Sequence, residues 1–249
     1  MKDTIGDRMK DFYEDRTRIK LVRRTNTILR VDGKSFHTYT RGLNRPFDSG
    51  LIEDMNNTAI HLCKNIQGAK LAYVQSDEIS VLITDYDDIN TSSWFDNNIQ
   101  KMTSVSASLA TAKFNQLRLE RYVSDVESIG KFNMALFDSR VFQIPSEEEV
   151  INYFIWRQQD ATRNSISSVA QSLYSHRELE GKNASMLQEM IFQKGINWND
   201  YTPREKRGGA IVKNKREVGS VLRSVWETDN DTPIFSQDKD YIRELIPLY

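Results

Sequence analysis

Three carboxylates carry the clearest chemical potential in this chain. Asp32 closes the strand-like run Thr27-Ile-Leu-Arg-Val31, and Asp77 and Glu78 stand together between two apolar runs, Leu71–Val74 and Ile79–Ile83. Each acid alone is as readily a turn residue, because Asp and its neighbours favour turns. Brought to one sheet end, the three would repel and demand a counter-charge. A hard divalent cation supplies it, and Mg²⁺ in particular is held by one or two carboxylates together with substrate phosphates. Two such ions activate an attacking hydroxyl and stabilise a leaving oxygen in phosphoryl transfer. Gly33-Lys-Ser-Phe-His37 directly follows Asp32. A glycine there lets backbone groups approach a metal or phosphate, and successive amides can cradle a polyphosphate. His37 by itself fits a packed or surface histidine equally well.

The elements that must position these groups follow from hydrophobic periodicity. Leu71 to Ile83 predicts a β-hairpin with a polar tip from Gln75 to Glu78, since Val, Ile and Tyr suit a pleated sheet. Between the first strand and the hairpin, Leu51, Met55, Ala59, Leu62 and Ile66 recur at helical spacing, with Asp48 or Ser49 as cap and Gly68 as stop. A second helix is predicted from Trp94 to Leu117, its Ser and Ala residues allowing close approach to a sheet. Phe132–Phe137 and Val141–Ile144 read as short strands around a turn at Asp138-Ser-Arg140. The order strand, helix, hairpin, helix, strand is a split βαβ arrangement, an α+β fold with an antiparallel sheet backed by helices. It places the first strand beside the central hairpin.

Residues 1–145 are expected to form this catalytic core with an N-terminal arm, Ile5–Arg24. Residues 146–249 are expected to form a helical and β-hairpin part packed on it. There, Ser146 and Glu149 predict a capping box opening a helix that carries Val150, Ile151, Phe154 and Ile155. Further helical pattern runs from Ser165 to Tyr174 and Ala184 to Lys194, followed by strands Gly209–Lys213 and Val218–Val225 joined through Lys213–Arg216. Trp94, Trp156, Trp198 and Trp226 are expected in the core, as large aromatics usually supply burial.

Composition narrows the functional classes. The 249 residues hold 34 basic and 35 acidic side chains, a net charge of −1, which argues against a surface that is basic throughout while permitting a local basic patch. Cys63 is the one cysteine, so neither an internal disulfide nor a multi-cysteine zinc site is available, which suits a reducing, cytoplasmic setting. No apolar run approaches the roughly 18 residues needed to span a bilayer, and the charged N-terminal residues contain no signal-peptide core, so no membrane partner is expected.

Three ordered segments, Leu29-Arg-Val-Asp-Gly-Lys-Ser-Phe-His37, Tyr73-Val-Gln-Ser-Asp-Glu-Ile-Ser80 and Trp156-Arg-Gln-Gln-Asp160, resemble the tRNA-His guanylyltransferase superfamily, polymerases that add nucleotides to the 5′ end of tRNA. The resemblance runs from about Arg30 to Arg207. It implies a polymerase-type palm in which Asp32, the Gly33 carbonyl and Asp77 hold two Mg²⁺, with Glu78 also required. It further implies that Ser76, Arg45 and the segment Gly33, Lys34, Ser35, Phe36 and His37 bind the triphosphate. ATP or GTP would serve as activating co-substrate, other nucleoside triphosphates as donors, and a homotetramer is the expected assembly.

One departure sharpens the resemblance. Eukaryotic members follow the Trp-Arg-Gln motif with His-Ile-Asn-Asn-Leu-Tyr-Asn, whereas this chain has Thr162-Arg-Asn-Ser-Ile-Ser-Ser168, keeping only Asn164 of the polar set. Without that His the chain looks like the bacterial and archaeal guanylyltransferase-like branch, which resembles template-directed 3′-to-5′ polymerases repairing truncated tRNAs. Untemplated addition of G to tRNA-His is the alternative, and a catalytically silent tRNA-binding protein on the same palm is a rival of another class. Arg157, Arg163, Asn164, Lys182, Lys206 and Arg207 are candidate contacts to the tRNA acceptor end, with Lys213, Lys215 and Arg216 beside them, since RNA is gripped chiefly through phosphates.

Overall fold

The computed structural model describes residues 4–123, 132–219 and 221–248. Its six strands are β1 (Thr27–Gly33), β2 (Ala69–Gln75), β3 (Glu78–Ile83), β4 (Phe137–Gln143), β5 (Gly209–Val218) and β6 (Val221–Asp229). The helices are α1 (Ile5–Met9), α2 (Phe36–Tyr39), α3 (Ser49–Asn65), α4 (Ile99–Val123), α5 (Glu147–Leu173), α6 (His176–Leu179), α7 (Ala184–Gln193), α8 (Pro203–Arg207) and α9 (Asp240–Arg243). The strands form one antiparallel sheet in the order β4-β1-β3-β2-β5-β6. Its first four strands are the expected split βαβ unit. The C-terminal hairpin β5–β6 extends the same sheet beyond β2.

Alternation along the strands sorts side chains onto two faces. Leu29, Val31, Val74, Ile79 and Val81 pack with Met55, Ala59 and Leu62 of α3 and Met102, Ala110 and Phe114 of α4. Ile28, Leu71, Tyr73 and Leu82 pack on the opposite face with Val150, Ile151 and Phe154 of α5 and with Phe235 and Ile242 near the C-terminus. The second half of α5 carries a smaller core with Leu187 and Ile191 of α7. Sheet and helices thus form three layers, each face closed by helices.

Local chemistry fixes the ends. Asp48 caps α3, its Oδ1 accepting from the Leu51 amide at 2.8 Å. Gly68, at φ +81°, sits where a Cβ would meet the Thr84 carbonyl oxygen at 2.2 Å, so the chain can leave α3 and enter β2 only through glycine. Ser106 in α4 donates to Ser139 in β4 at 2.8 Å, a contact that needs the small side chains anticipated for this helix.

Several boundaries depart from expectation. Phe95, Asp96 and Asn97 have positive φ, which breaks helical pattern and delays α4 to Ile99. Asp138-Ser139-Arg140 is not a turn: β1 offers a partner to every residue from Phe137 to Gln143, so one strand runs through. Lys213–Arg216 is likewise strand, and the reversal occurs around Gly219 at φ +68°. At α5, Ser146 accepts from the Glu149 amide at 3.4 Å, but the Glu149 carboxylate takes Asn152 at 2.9 Å, so only half the expected capping box forms. The N-terminal arm, with short helical turns from Ile5 to Thr17, buries none of its described side chains in those turns.

Candidate active site

The β2–β3 hairpin closes through only two residues, Ser76 and Asp77, because Ser76 adopts φ +47°. Gln75 and Glu78 are therefore buried, paired strand residues, and the polar tip is narrower than the sequence pattern suggests. Asp77 hangs over the end of β1, where the Gly33 amide donates to the Asp77 carbonyl at 3.2 Å. Asp32 lies opposite Glu78 on one side and Asp138 on the other. Directly opposed residues project from one face, so these three carboxylates form a row facing α5.

The row does not act as one cluster, because guanidinium groups intervene. Arg157 of α5 donates to Glu78 from Nε at 2.8 Å and from a terminal nitrogen at 3.1 Å, and Arg30 approaches at 3.5 Å. Gln75 and Ser80 also donate to Glu78. Glu78 is thus a buried carboxylate paired with guanidinium groups, so the counter-charge expected for acids at this sheet end comes, for Glu78, from Arg157 and Arg30. Among the described residues no group of three His, Cys, Asp or Glu side chains is placed to hold one metal ion. Arg140 stands 3.1 Å from Asp138 and 3.7 Å from Asp32.

Asp32 and Asp77 remain as the open acids. Burial pushes the Asp77 carboxyl up to about 6, and the charges of Asp32 and Glu78 add to that rise against lowering hydrogen bonds from its own backbone and Ser76. A partly desolvated carboxylate beside a second acid is short of positive charge. The two hard oxygen carboxylates of Asp32 and Asp77, close enough to repel each other at a strand end, therefore form a donor pair suited to Mg²⁺.

A cavity of about 510 Å³ opens beside Asp77, and its walls include His37, Arg45, Ser76, Asn164, Ser168 and Arg204. Gly33 leads into α2 through Ser35 at φ +57°, and the first amides of a helical turn have no carbonyl of their own to bind. Lys34 and His37 are exposed, with His37 Nε2 3.1 Å from Thr38 Oγ1. The Phe36 ring is core, packed with Tyr39, Phe114 and Phe137, so that residue offers only its backbone to a ligand. Gly33 has a second reason to be glycine: a Cβ there would fall 2.2 Å from the Phe36 ring.

Some wall residues escape sequence reasoning. Gln75 is buried, with Oε1 unpartnered among the described residues, and it faces the cavity. Arg204 donates to Asn56 Oδ1 at 3.2 and 2.8 Å and forms no ion pair among the described residues. Burial pulls its guanidinium down to about 10. Its stem crosses Gly209, where a Cβ would sit 2.7 Å from Arg204 Cδ. The Gly208-Gly209 pair was the available signal. Asp138 was hidden by its turn-like sequence.

The candidate RNA contacts divide. Arg157 is buried against Glu78 and Asp160, which removes it from direct phosphate contact. Arg163 is exposed and pairs with Asp160 at 2.9 Å, and Lys182 is exposed. Lys206 donates to the Asn199 carbonyl at 2.6 Å, and Arg207 is half-buried, its carbonyl accepting from the Tyr73 hydroxyl.

Comparison with known proteins agrees with this architecture. A bacterial tRNA(His) guanylyltransferase-like protein in complex with ATP superposes with a TM-score of 0.87 at 48% identity, covering 99% of this chain and 100% of that one. A structure of a bacterial protein of the same description in complex with GTP gives 0.84 at 48% identity with the same coverage. The tRNA(His) guanylyltransferase of Debaryomyces hansenii is 29% identical over 212 residues, 76% of this chain and 74% of the relative. Residues 6–145 match the family described as tRNAHis guanylyltransferase, and the chain belongs to that family of nucleotidyltransferases.

Proposed function

We propose that this nucleotidyltransferase adds nucleotides to truncated tRNA 5′ ends in the 3′-to-5′ direction, copying the opposite strand. The observation that carries this reading is the wall of the cavity. Asn164, Ser165, Ser167 and Ser168 line it, and these belong to the segment where eukaryotic relatives place a histidine. Small hydroxyl side chains leave that wall without the group whose absence argues against a dedicated tRNA-His site. The 48% identity to a bacterial guanylyltransferase-like protein, against 29% to a fungal guanylyltransferase, supports the same branch.

The chemistry is a reversal of ordinary chain growth. An oxygen of the RNA 5′-monophosphate attacks the α-phosphorus of ATP or GTP and expels pyrophosphate. The 3′-hydroxyl of the incoming nucleoside triphosphate then attacks the activated 5′ phosphorus and expels AMP or GMP. Arg45, Ser76 and Arg204 would hold phosphates at the cavity wall, and the Gly33–His37 backbone would close over them. Asp32, Asp77 and the Gly33 carbonyl would hold Mg²⁺, which when bound supplies charge stabilisation to the attacking and leaving oxygens. Glu78, held by Arg157, acts through the position of β3 rather than as a metal ligand. Its neutralised state also keeps a third negative charge away from the polyphosphate.

Extension of a 5′-truncated tRNA with each of the four nucleotides, the opposing base varied in turn, tests this reading. The expected product tracks the opposing base. Addition of G whatever the opposing base would establish the tRNA-His activity instead. Asp77→Ala should abolish extension in Mg²⁺. If that variant extends RNA as wild type does, the assignment of the metal site fails, and if wild type binds tRNA without extending it, the silent-binding rival holds.

A further inference from the structure

Trp156 does not behave like the other tryptophans. Trp94 and Trp226 are buried, and Trp198 is half-buried with its indole N–H donating to Ser165 Oγ at 3.0 Å. Trp156 instead leaves 47% of its surface open in the middle of α5. This overturns the expectation that it fills the core.

The indole is exposed and yet held. The Arg157 guanidinium lies over its ring, 4.3 Å from the centroid, and the Tyr153 ring stands edge-on at 5.9 Å. Arg157 is itself buried and locked by Glu78 and Asp160, and the Tyr153 hydroxyl lies 2.8 Å from Ser80 Oγ. Two sheet residues, Glu78 and Ser80, thus hold in place the Arg157 and Tyr153 side chains that pack on the ring. A rigid aromatic loses little conformational freedom when a ligand settles on it.

Its direction follows from helix geometry. At 3.6 residues per turn, Tyr153, Trp156, Asp160, Arg163 and Asn164 fall along one flank of α5. Tyr153 packs on Phe142 of β4, and Asn164 lines the cavity, so this flank overlooks β1 and the edge strand β4. The α5-facing row of that sheet end holds Asp32 and Asp138, with Arg140 between them. Trp156 lies outside the cavity walls but on the same flank as Asn164 and exposed Arg163, and half-exposed Arg140 stands on β4, the strand this flank overlooks.

We propose that Trp156 is a stacking platform for a nucleobase at the RNA 5′ end, with Arg163 and Arg140 meeting adjacent phosphates. An aromatic face beside cations is how proteins hold unpaired nucleotides, since every base has a π-face and every linkage a charge. A nucleotide seated in the cavity has its own walls, so a base reaching Trp156 belongs to a ligand extending past Asp32. The flanking Asn152, Asp160 and Arg163 are polar, unlike the apolar core of a subunit interface. The proposal rests on RNA being the substrate.

Titration of wild type, Trp156→Phe and Trp156→Ala with a 5′-monophosphorylated truncated tRNA tests it, with ATP binding measured alongside. RNA should quench the wild-type indole fluorescence, and Trp156→Phe should bind RNA within a fewfold of wild type while losing that quenching. Trp156→Ala should weaken RNA binding by about tenfold with ATP affinity unchanged. Wild-type RNA affinity in Trp156→Ala, or full quenching in Trp156→Phe, overturns the platform while leaving RNA as substrate. A change of oligomeric mass in Trp156→Ala with RNA binding intact makes the indole a subunit contact and overturns it too. A wild-type protein that binds ATP but no RNA overturns both this proposal and the reading beneath it.

Discussion

Arg157 grips Glu78 through two nitrogens, at 2.8 and 3.1 Å, where α5 crosses β3, the second strand of the hairpin that carries Asp77. Both groups are buried, and Arg30, the other cation on Glu78, is farther away at 3.5 Å. Removing one partner of a buried pair strands the other charge, at a cost of about 3–5 kcal/mol. Arg157→Ala should therefore lower stability by that order in denaturant unfolding. Arg157→Ala combined with Glu78→Gln should recover part of it, because the buried carboxylate charge is then gone and only Arg30, at 3.5 Å, loses its partner. Equal losses in the single and double variants would show that Arg157 contributes packing rather than charge.

Gly33 and Phe36 are coupled by space. A Cβ at Gly33 would lie 2.2 Å from the Phe36 ring, and that ring is wedged among Tyr39, Phe114 and Phe137. Neither side can yield without disturbing the core beneath the end of β1. Gly33→Ala should destabilise by about 1–3 kcal/mol, as overpacking does. Gly33→Ala combined with Phe36→Leu should regain stability. A Gly33→Ala protein that melts like wild type would mean the loop relaxes freely.

These two pairs show what was legible in the sequence. The succession strand, helix, hairpin, helix, strand and the places of Asp32 at a strand end and Asp77 at a hairpin tip followed from local pattern, because β-branched runs, a capped helix and a polar tip each fix structure within a few residues, whereas the joining of β5–β6 to the same sheet did not. The fate of Glu78 did not, since it depends on Arg157, 79 positions away on a different element. Asp138 was unreadable for a similar reason: its neighbours suggest a turn, and only the unbroken partner row of β1 makes it strand. Trp156 shows the opposite failure. Its size predicts burial, but its place on the open flank of α5 is set by the packing of the whole helix.

Arg204 presents a cation whose bonded partner is an amide. It reaches Asn56 at 2.8 Å, forms no ion pair among the described residues and lines the cavity beside Asp77 and Ser76. A guanidinium with its pKa drawn down to about 10 is less comfortable folded than unfolded. The sign follows: a cation whose folded value is depressed costs stability below that value, and the cost fades as pH rises through it. At neutral pH Arg204→Met should leave the melting temperature unchanged or raised, and weaken ATP binding by about tenfold, as expected for loss of a charged hydrogen bond. A fall in melting temperature with ATP affinity intact would make Arg204 a structural tether between α8 and α3.

Arg216 and Arg223 face each other across the β5–β6 ribbon. Beyond Ile211 the β2 pairing has ended, so this part of the ribbon extends past the sheet with only its own two strands. Directly opposed like charges destabilise a strand pair, and Arg216 is partly relieved by Glu227. Lys213 and Lys215 lie on the neighbouring stretch, so the ribbon gathers positive charge on a protein of net charge −1. Arg223→Glu converts the opposed pair to an attractive one and should stabilise by about 0.5 kcal/mol. If the ribbon meets RNA phosphates, the same variant should weaken tRNA binding and make its logarithmic salt dependence shallower by about one unit. Stabilisation with an unchanged salt slope would leave the repulsion real and place the RNA elsewhere.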